Sequence, residues 1–309
     1  MESPAEWLEI CLAVMPIISG EELHIWRRQQ LQINPGAAAG LDWLLEMEGK
    51  VPWRDLQASR LHPEQPLTIA QPLLQLANIW CQHIQQQKPL QYLVGRCPWR
   101  DLELQVDSTV LIPRQETELL VELALCVASE LGETGLTPWA DLGCGSGCIA
   151  IALARAWPQS QGWAVDISAS ALKLASLNAT IHGVAKSINW LQGNWAEPLQ
   201  FQAGKWQLLI SNPPYIPSAV VNQLEPLVRN NEPRLALDGG DDGLDSIKSI
   251  CKLAPMLLAP GGWLLLEHHH DQSEAVLKLL RHAGLELVEA KSDLEGTLRF
   301  AVARAGGGN

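Results

Sequence analysis

The sequence predicts an α/β fold, a doubly wound sheet preceded by a small helical domain. Three observations carry this. From Trp139 onward, short apolar runs alternate with longer segments of helical period. Two of the runs end in turn-forming stretches, GCGSG at 143–147 and NPPY at 212–215, where open sheets bind ligands beyond the carboxyl ends of their strands. Residues 1–87, by contrast, show helical spacing.

Taken in order, Leu8, Leu12 and Met15 follow an i, i+4, i+7 pattern. Ser19 and Glu22 form a capping box that opens a helix carrying Leu23 and Trp26. Leu73, Ala77, Trp80 and Ile84 make another stripe, with Pro72 as its first helical residue. Residues 1–87 hold no catalytic constellation and read as a helical domain that recognises the substrate. In 88–112, Tyr92, Val94, Leu102, Leu104 and Val106 have strand-like spacing around Cys97-Pro98-Trp99, which predicts a β-hairpin linker. A helix then begins near Gln115, and Arg114 before it is either a surface cation or an anchor for a carboxylate. The main domain, 113–304, has strands predicted at 139–142, 162–165, 188–191, 206–210, 263–266, 285–290 and 298–303. The last two lack an intervening helix, so one terminal strand runs antiparallel. Residues 305–309 read as a disordered tail.

Composition narrows the function. Lys and Arg total 22 against 34 Asp and Glu, a formal charge of -12. That balance argues against a broad nucleic-acid face and suits a basic protein partner. The seven cysteines form no C-x-x-C pair, as expected of free thiols in a reducing cytosol. Cys144 and Cys148 have no second ligand pair nearby, so no metal is expected. The chain has no apolar run of membrane-spanning length, and its N-terminus lacks a basic region followed by an apolar one. A cytoplasmic, soluble protein with no membrane partner is expected.

The chemistry lies in two motifs. DLGCGSG runs from Asp141 to Gly147 between a predicted strand and helix, and its glycines let the backbone turn sharply against a ligand. Asp166 ends the next strand, 19 residues after Gly147, where a carboxylate can take both hydroxyls of a ribose. This pairing fits a dinucleotide or S-adenosyl-L-methionine (AdoMet). The Asp-Leu-Gly opening and the later Asn-Pro-Pro-Tyr favour AdoMet, with Asp141 suited to its ammonium. In LLISNPPYIP, 208–217, two prolines end a buried strand and hold Asn212 at its carboxyl edge. A carboxamide there offers one acceptor and two donors, which suits a planar –NH2 substrate.

Taken together, YLVG at 92–95, IPRQETELLVE at 112–122, DLGCGSG, SNPPYIP, NEPRLALDGGDDGLD at 231–245, LLLE at 264–267 and DLEGTLRF at 293–300 resemble the HemK/PrmC family of release factor glutamine methyltransferases. NPPY alone is shared with many amino-methyltransferases. The resemblance implies a seven-stranded, Rossmann-like AdoMet-dependent methyltransferase domain behind a helical domain and a hairpin linker. It implies methylation of the glutamine amide in the Gly-Gly-Gln motif of class I peptide chain release factors, which modulates translation termination. It places AdoMet against Gly143, Cys144, Gly145, Ser146, Gly147, Asp166, Trp195 and Asn212, with Trp195 along the adenine. The glutamine would be held by Asn212, Pro213, Pro214 and Tyr215, with Arg114 beside it; the Asn212 oxygen and the Pro213 carbonyl would accept its N–H groups. Three departures stand out: Gln115 for a proline, Asn194 for an acidic residue, and His268, His269 and His270 for a glycine-containing stretch. Strand alternation points the three histidines apart, so no metal site is expected there. A monomer without direct nucleic-acid contacts is expected. The alternatives are an N6-adenine or N4-cytosine nucleic-acid methyltransferase, a ribosomal-protein glutamine methyltransferase, and a non-catalytic AdoMet-binding protein.

Overall fold

The computed structural model describes residues 15–131 and 135–307. The chain divides into two compact units between Val94 and Gly95. In the first, strand Ile17–Ser19 (β1) pairs antiparallel with Pro66–Thr68 (β2). Helices Gly20–Leu31 (α1), Ala38–Met47 (α2), Trp53–Leu61 (α3), Leu73–Gln86 (α4) and Leu90–Val94 (α5) complete it. The predicted capping box is present. Ser19 Oγ accepts from the Glu22 N–H at 3.1 Å, and the Ser19 N–H donates to the Glu22 carboxylate at 2.7 Å. Leu23, Leu41, Leu44, Leu76 and Trp80 fill the core. Pro72 caps α4 instead of starting it, because its ψ of 142° is extended. Leu8 and Leu12 of the first predicted stripe lie outside the described residues, and Met15 precedes β1.

Tyr92 and Val94 sit in the single turn α5, not in a strand. Gly95, at φ +75°, ends that turn, a conformation that suits glycine. The hairpin is Arg96–Trp99 (β3) and Leu102–Gln105 (β4). It groups with the second unit, where the Asn178 carboxamide accepts from Gln105 N at 2.7 Å and donates to Gln105 O at 3.0 Å. Asn178 lies on helix Ala169–Ile181, and His182, just past it, is bonded to Glu103 O. The boundary between the two units thus falls within 88–112, and β4 is bonded to the sheet-bearing unit.

The elements of the second unit are helix Glu118–Glu130 (α6), strand Trp139–Leu142 (β5), helix Cys148–Ala156 (α7), strand Gly162–Asp166 (β6), helix Ala169–Ile181 (α8) and strand Ile188–Gln192 (β7). Strand Trp206–Ser211 (β8), short helices Ser218–Val221 (α9) and Pro226–Arg229 (α10), helix Asp245–Leu257 (α11), strand Leu258–Glu267 (β9), helix Ser273–His282 (α12) and strands Glu286–Ser292 (β10) and Leu298–Arg304 (β11) follow. The seven-stranded sheet has the order β10-β11-β9-β8-β5-β6-β7. As predicted, one strand is reversed: β11 lies between β9 and β10 and is antiparallel to both.

Strand alternation sorts the side chains onto two faces. Trp139, Leu208, Ile210, Leu265 and Phe300 pack with α6, α7 and α8. Ala140, Leu142, Leu209, Leu264 and Leu266 pack with α11 and α12. Each fully buried leucine contributes about 1.5–3 kcal/mol, so both layers fix the sheet firmly. The chain runs outward from β5 in both directions, with β6 on one side and β8 on the other. The carboxyl ends of β5 and β8 therefore flank the switch point, where a crevice opens. At the other end of the chain, Ala305 exchanges backbone hydrogen bonds with Gly261 and Gly262 at 3.1 and 2.7 Å. Ala305 is thus tied to the turn before the main run of β9, and positions 308–309 lie outside the described residues. Among the described residues, no helix is long and apolar enough to cross a membrane.

Candidate active site

The crevice holds a cavity of about 270 Å³, walled entirely by residues of the second unit. Its floor is the turn after β5. Gly143 has φ +73° and Gly145 φ +53°, and a Cβ at Gly143 would lie 2.9 Å from the Trp195 ring. A Cβ at Gly145 would meet nothing within 4 Å, so this glycine faces open space. Gly147, at φ +83°, lets α7 approach α8, since its Cβ would sit 3.0 Å from that of Ala175. Asp166, at the end of β6, ties the wall together. Its Oδ2 accepts from Gly145 N at 2.9 Å and its Oδ1 from Ser168 N at 2.8 Å. One lone pair stays free on each oxygen, a geometry that suits two vicinal hydroxyls.

Of the residues the sequence singles out, Gly143, Cys144, Gly145, Ser146, Asp166, Trp195, Asn212, Pro214 and Arg114 line this cavity. Asp141, Gly147, Pro213 and Tyr215 do not. Asp141 is the third residue of β5. Alternation along β5 turns it away from the cavity to the α7 side, where it is 1% exposed and its Oδ2 accepts from Ala150 N at 3.2 Å. Its Oδ1 has no partner. Burial pushes this carboxyl up to about 8, against the Ala150 N–H, with the Asp166 charge adding to the rise. Burial also holds the Cys144 thiol well above its usual range and pushes Cys148 up to about 12, so neither is a thiolate nucleophile.

At the end of β8, Ser211 Oγ donates to Leu142 O at 2.6 Å and locks the β8 and β5 ends side by side. Asn212 follows, and its Nδ2 donates to Thr117 Oγ1 at 2.9 Å. Thr117 Oγ1 in turn donates to Glu267 Oε2 at 2.8 Å. Tyr215 O–H reaches Glu267 Oε1 at 3.3 Å, so the tyrosine is turned to this carboxylate. Glu267 is 2% exposed, and burial pushes it up to about 7 against the pull of the two hydroxyls and Arg299. Thr117 and Glu267 lie within quoted motifs, yet the sequence reading assigns neither a role. The signal was a lone acid closing the apolar run 263–266.

Arg114 is an anchor for a carboxylate, and the carboxylate belongs to the protein. Its Nη2 contacts both oxygens of buried Glu232 at 2.8 and 2.7 Å. This pair ties the segment before α6 to the 231–245 loop, whose Leu235 and Asp238 line the cavity. Asn194 bonds Glu197 at 3.4 Å. The three histidines are not held apart by alternation, because β9 ends at Glu267. The rings of His269 and His270 lie 4.1 Å apart, and His269 Nδ1 is 2.6 Å from the Asp271 carboxylate. Buried His268 bonds His269 O instead. Among the described residues, no group of three potential ligands could hold a metal.

Residues 124–241 match the Methyltransferase small domain family. The catalytic domain of hMettl16, solved in complex with MAT2A 3'UTR hairpin 6, shares the fold with a TM-score of 0.54 at 14% identity, over 86% of this chain and 92% of that one. With the glycine cradle and the Asp166 carboxylate, this defines the class: an AdoMet-dependent methyltransferase. The release factor glutamine methyltransferase of Prochlorococcus marinus is 46% identical over 285 residues, covering 92% of this chain and 97% of the relative. Those of Synechocystis and Gloeobacter violaceus are 38% and 40% identical, over 93% and 91% of this chain and 97% and 96% of theirs. The chain belongs to the release factor glutamine methyltransferase family.

Proposed function

We propose that this protein transfers a methyl group from AdoMet to the side-chain amide nitrogen of the glutamine in the Gly-Gly-Gln motif of class I peptide chain release factors. It acts as a cytoplasmic monomer and modulates translation termination, and S-adenosyl-L-homocysteine is the second product. The observation that carries this reading is the Asn212 carboxamide. Its NH2 is engaged by Thr117 at the cavity wall, between the glycine cradle and Pro214.

Gly143, Cys144, Gly145, Ser146, Asp166 and Trp195 would hold the cofactor, and the glycines leave the room that side chains would otherwise fill. When bound, AdoMet supplies a methyl group on a cationic sulfur. The residues of the chain do the rest. An amide nitrogen is a poor nucleophile because its lone pair is delocalised. Asn212 Oδ1 accepts a substrate N–H, orients the amide plane and favours the positive charge that develops on nitrogen. Pro213 and Pro214 carry no N–H that would compete for that acceptor. The Arg114–Glu232 pair fixes the loop that covers the cavity on its other side. The proton leaves the nitrogen after transfer, so no strong general base is required.

The test is incubation of the purified chain with AdoMet and an intact release factor, read by mass spectrometry of the Gly-Gly-Gln peptide. One added methyl on the glutamine is the expected result. Transfer to an adenine- or cytosine-containing oligonucleotide or to a ribosomal protein, with none to the release factor, would overturn the reading.

A further inference from the structure

Asn212 can serve as an acceptor toward the substrate only if its carboxamide is held one way round. A carboxamide rotated by half a turn has nearly the same shape but offers a donor. Packing alone does not distinguish the two orientations. Hydrogen-bond polarity does, and it is set two residues away. We propose that Glu267 is a positioning residue, which acts through Thr117 to keep the oxygen of Asn212, not its nitrogen, toward the substrate amide. The inference rests on the functional reading above and adds the group that controls it.

An ionised carboxylate only accepts, and a threonine hydroxyl has one hydrogen. Glu267 Oε2 takes that hydrogen from Thr117, and Glu267 Oε1 takes the Tyr215 hydrogen. Thr117 Oγ1 then has only lone pairs to offer, so the group facing it must be the Asn212 NH2. Asn212 Oδ1 is left without a protein donor among the described residues and faces the cavity side. Thr117 and Glu267, the two inner members of the relay, are each 2% exposed, which strengthens the bond between them.

Protonation of Glu267 at Oε2 reverses the relay. Glu267 then donates to Thr117, Thr117 donates to the Asn212 oxygen, and the carboxamide turns its NH2 to the substrate. Two donors would then face each other. The groups that bear on this ionisation are Glu116, beside Thr117, which disfavours it, and Arg299 of β11 and the Tyr215 hydroxyl, which favour it. Arg299 is itself tied to Asp293 at 2.7 Å. The switch falls in an accessible range, since burial brings the Glu267 carboxyl to about 7.

The experiment is single-turnover methylation of an intact release factor as a function of pH, with AdoMet binding measured separately. The wild-type rate is expected to rise with pH through the neutral range. Glu267→Gln removes the ionisation and should abolish that rise. Glu267→Leu removes the acceptor for Thr117 and should slow transfer roughly a hundredfold, the scale for losing one oriented contact, with AdoMet affinity unchanged. Thr117→Val should slow transfer similarly, Thr117→Ser far less, and Glu267→Leu combined with Thr117→Val should be no slower than the worse single variant. A merely structural role for Glu267 would not move the pH profile or make these losses non-additive. An active wild type whose pH dependence survives in Glu267→Gln, or whose rate survives in Glu267→Leu, overturns this inference alone. A wild type silent on the release factor overturns the functional reading and the inference with it.

Discussion

Asp166 does two jobs that one substitution can separate. Its carboxylate ties Gly145 N and Ser168 N at 2.9 and 2.8 Å, which holds the cradle to the start of α8. Its remaining lone pairs are proposed to take the ribose hydroxyls of AdoMet. Hydrogen bonds to a charged group contribute about 1.5–3 kcal/mol each. Both backbone amides lie in partly exposed loops where water can replace the carboxylate, so the lower end applies to the fold. Asp166→Ala should therefore lower the stability of the cofactor-free protein by about 3 kcal/mol, the lower end taken for each of the two bonds. The ribose contact is separate. Its loss should weaken AdoMet binding by roughly 1.5–3 kcal/mol, about ten- to a hundredfold in Kd. Release of the glycine turn adds to this. Asp166→Asn keeps one acceptor and should fall between. Calorimetric titration with AdoMet gives the second quantity, and thermal unfolding without cofactor the first. A lowered unfolding temperature with unchanged Kd would leave Asp166 as a structural tie and remove it from the cofactor site.

Four further outcomes are expected. Gly143→Ala places a Cβ 2.9 Å from the Trp195 ring at a φ of +73°, so it should weaken AdoMet binding and lower stability, the backbone strain alone costing about 1–2 kcal/mol; calorimetry and thermal unfolding check both. Asn212→Ala should slow single-turnover transfer a hundred- to thousandfold, about 2.7–4 kcal/mol of barrier, while AdoMet still binds. Burial raises Asp141 and Glu267 to about 8 and about 7, so the folded state keeps protons that the unfolded state has released, and stability without cofactor should fall as pH rises from about 4 toward 8; Asp141→Asn should flatten that slope in thermal unfolding between pH 5 and pH 8.5. A fragment starting at Gly95 contains every residue lining the cavity and should bind AdoMet, yet methylate an intact release factor poorly if the helical unit recognises it.

The strand–turn–helix grammar was legible because alternation and turn residues are local. Leu208, Leu209 and Ile210 mark a strand on their own, and two prolines mark its end. The glycine turn, Asp166 and Asn212 could be assigned to one site because open sheets place such turns at a common edge. What escaped was set by distant partners. Thr117 and Glu267 are 150 positions apart, and only the sheet brings them to 2.8 Å. The partner of Arg114 is 118 positions away, and nothing near Arg114 in the chain points to Glu232. The bond from Ala150 N to Asp141, nine positions earlier, likewise depends on how α7 packs against β5. Tyr92 and Val94 had strand spacing over too short a span to distinguish it from one helical turn.

The reversed strand β11 has a consequence for biosynthesis. Among the described residues it is the last strand in sequence, yet it sits inside the sheet, between β9 and β10. The pairing Phe300–Glu267 through Arg304–Trp263 forms only when the final strand has been made. Until residue 304 has left the ribosome, β10 has no sheet to join and β9 presents a bare row of backbone donors and acceptors. The sheet therefore closes only once β11 has been made. A chain interrupted before Leu298 would keep the whole AdoMet cavity in its sequence and still be a target for aggregation or proteolysis, whereas loss of residues beyond Ala305 would remove none of the strand pairing.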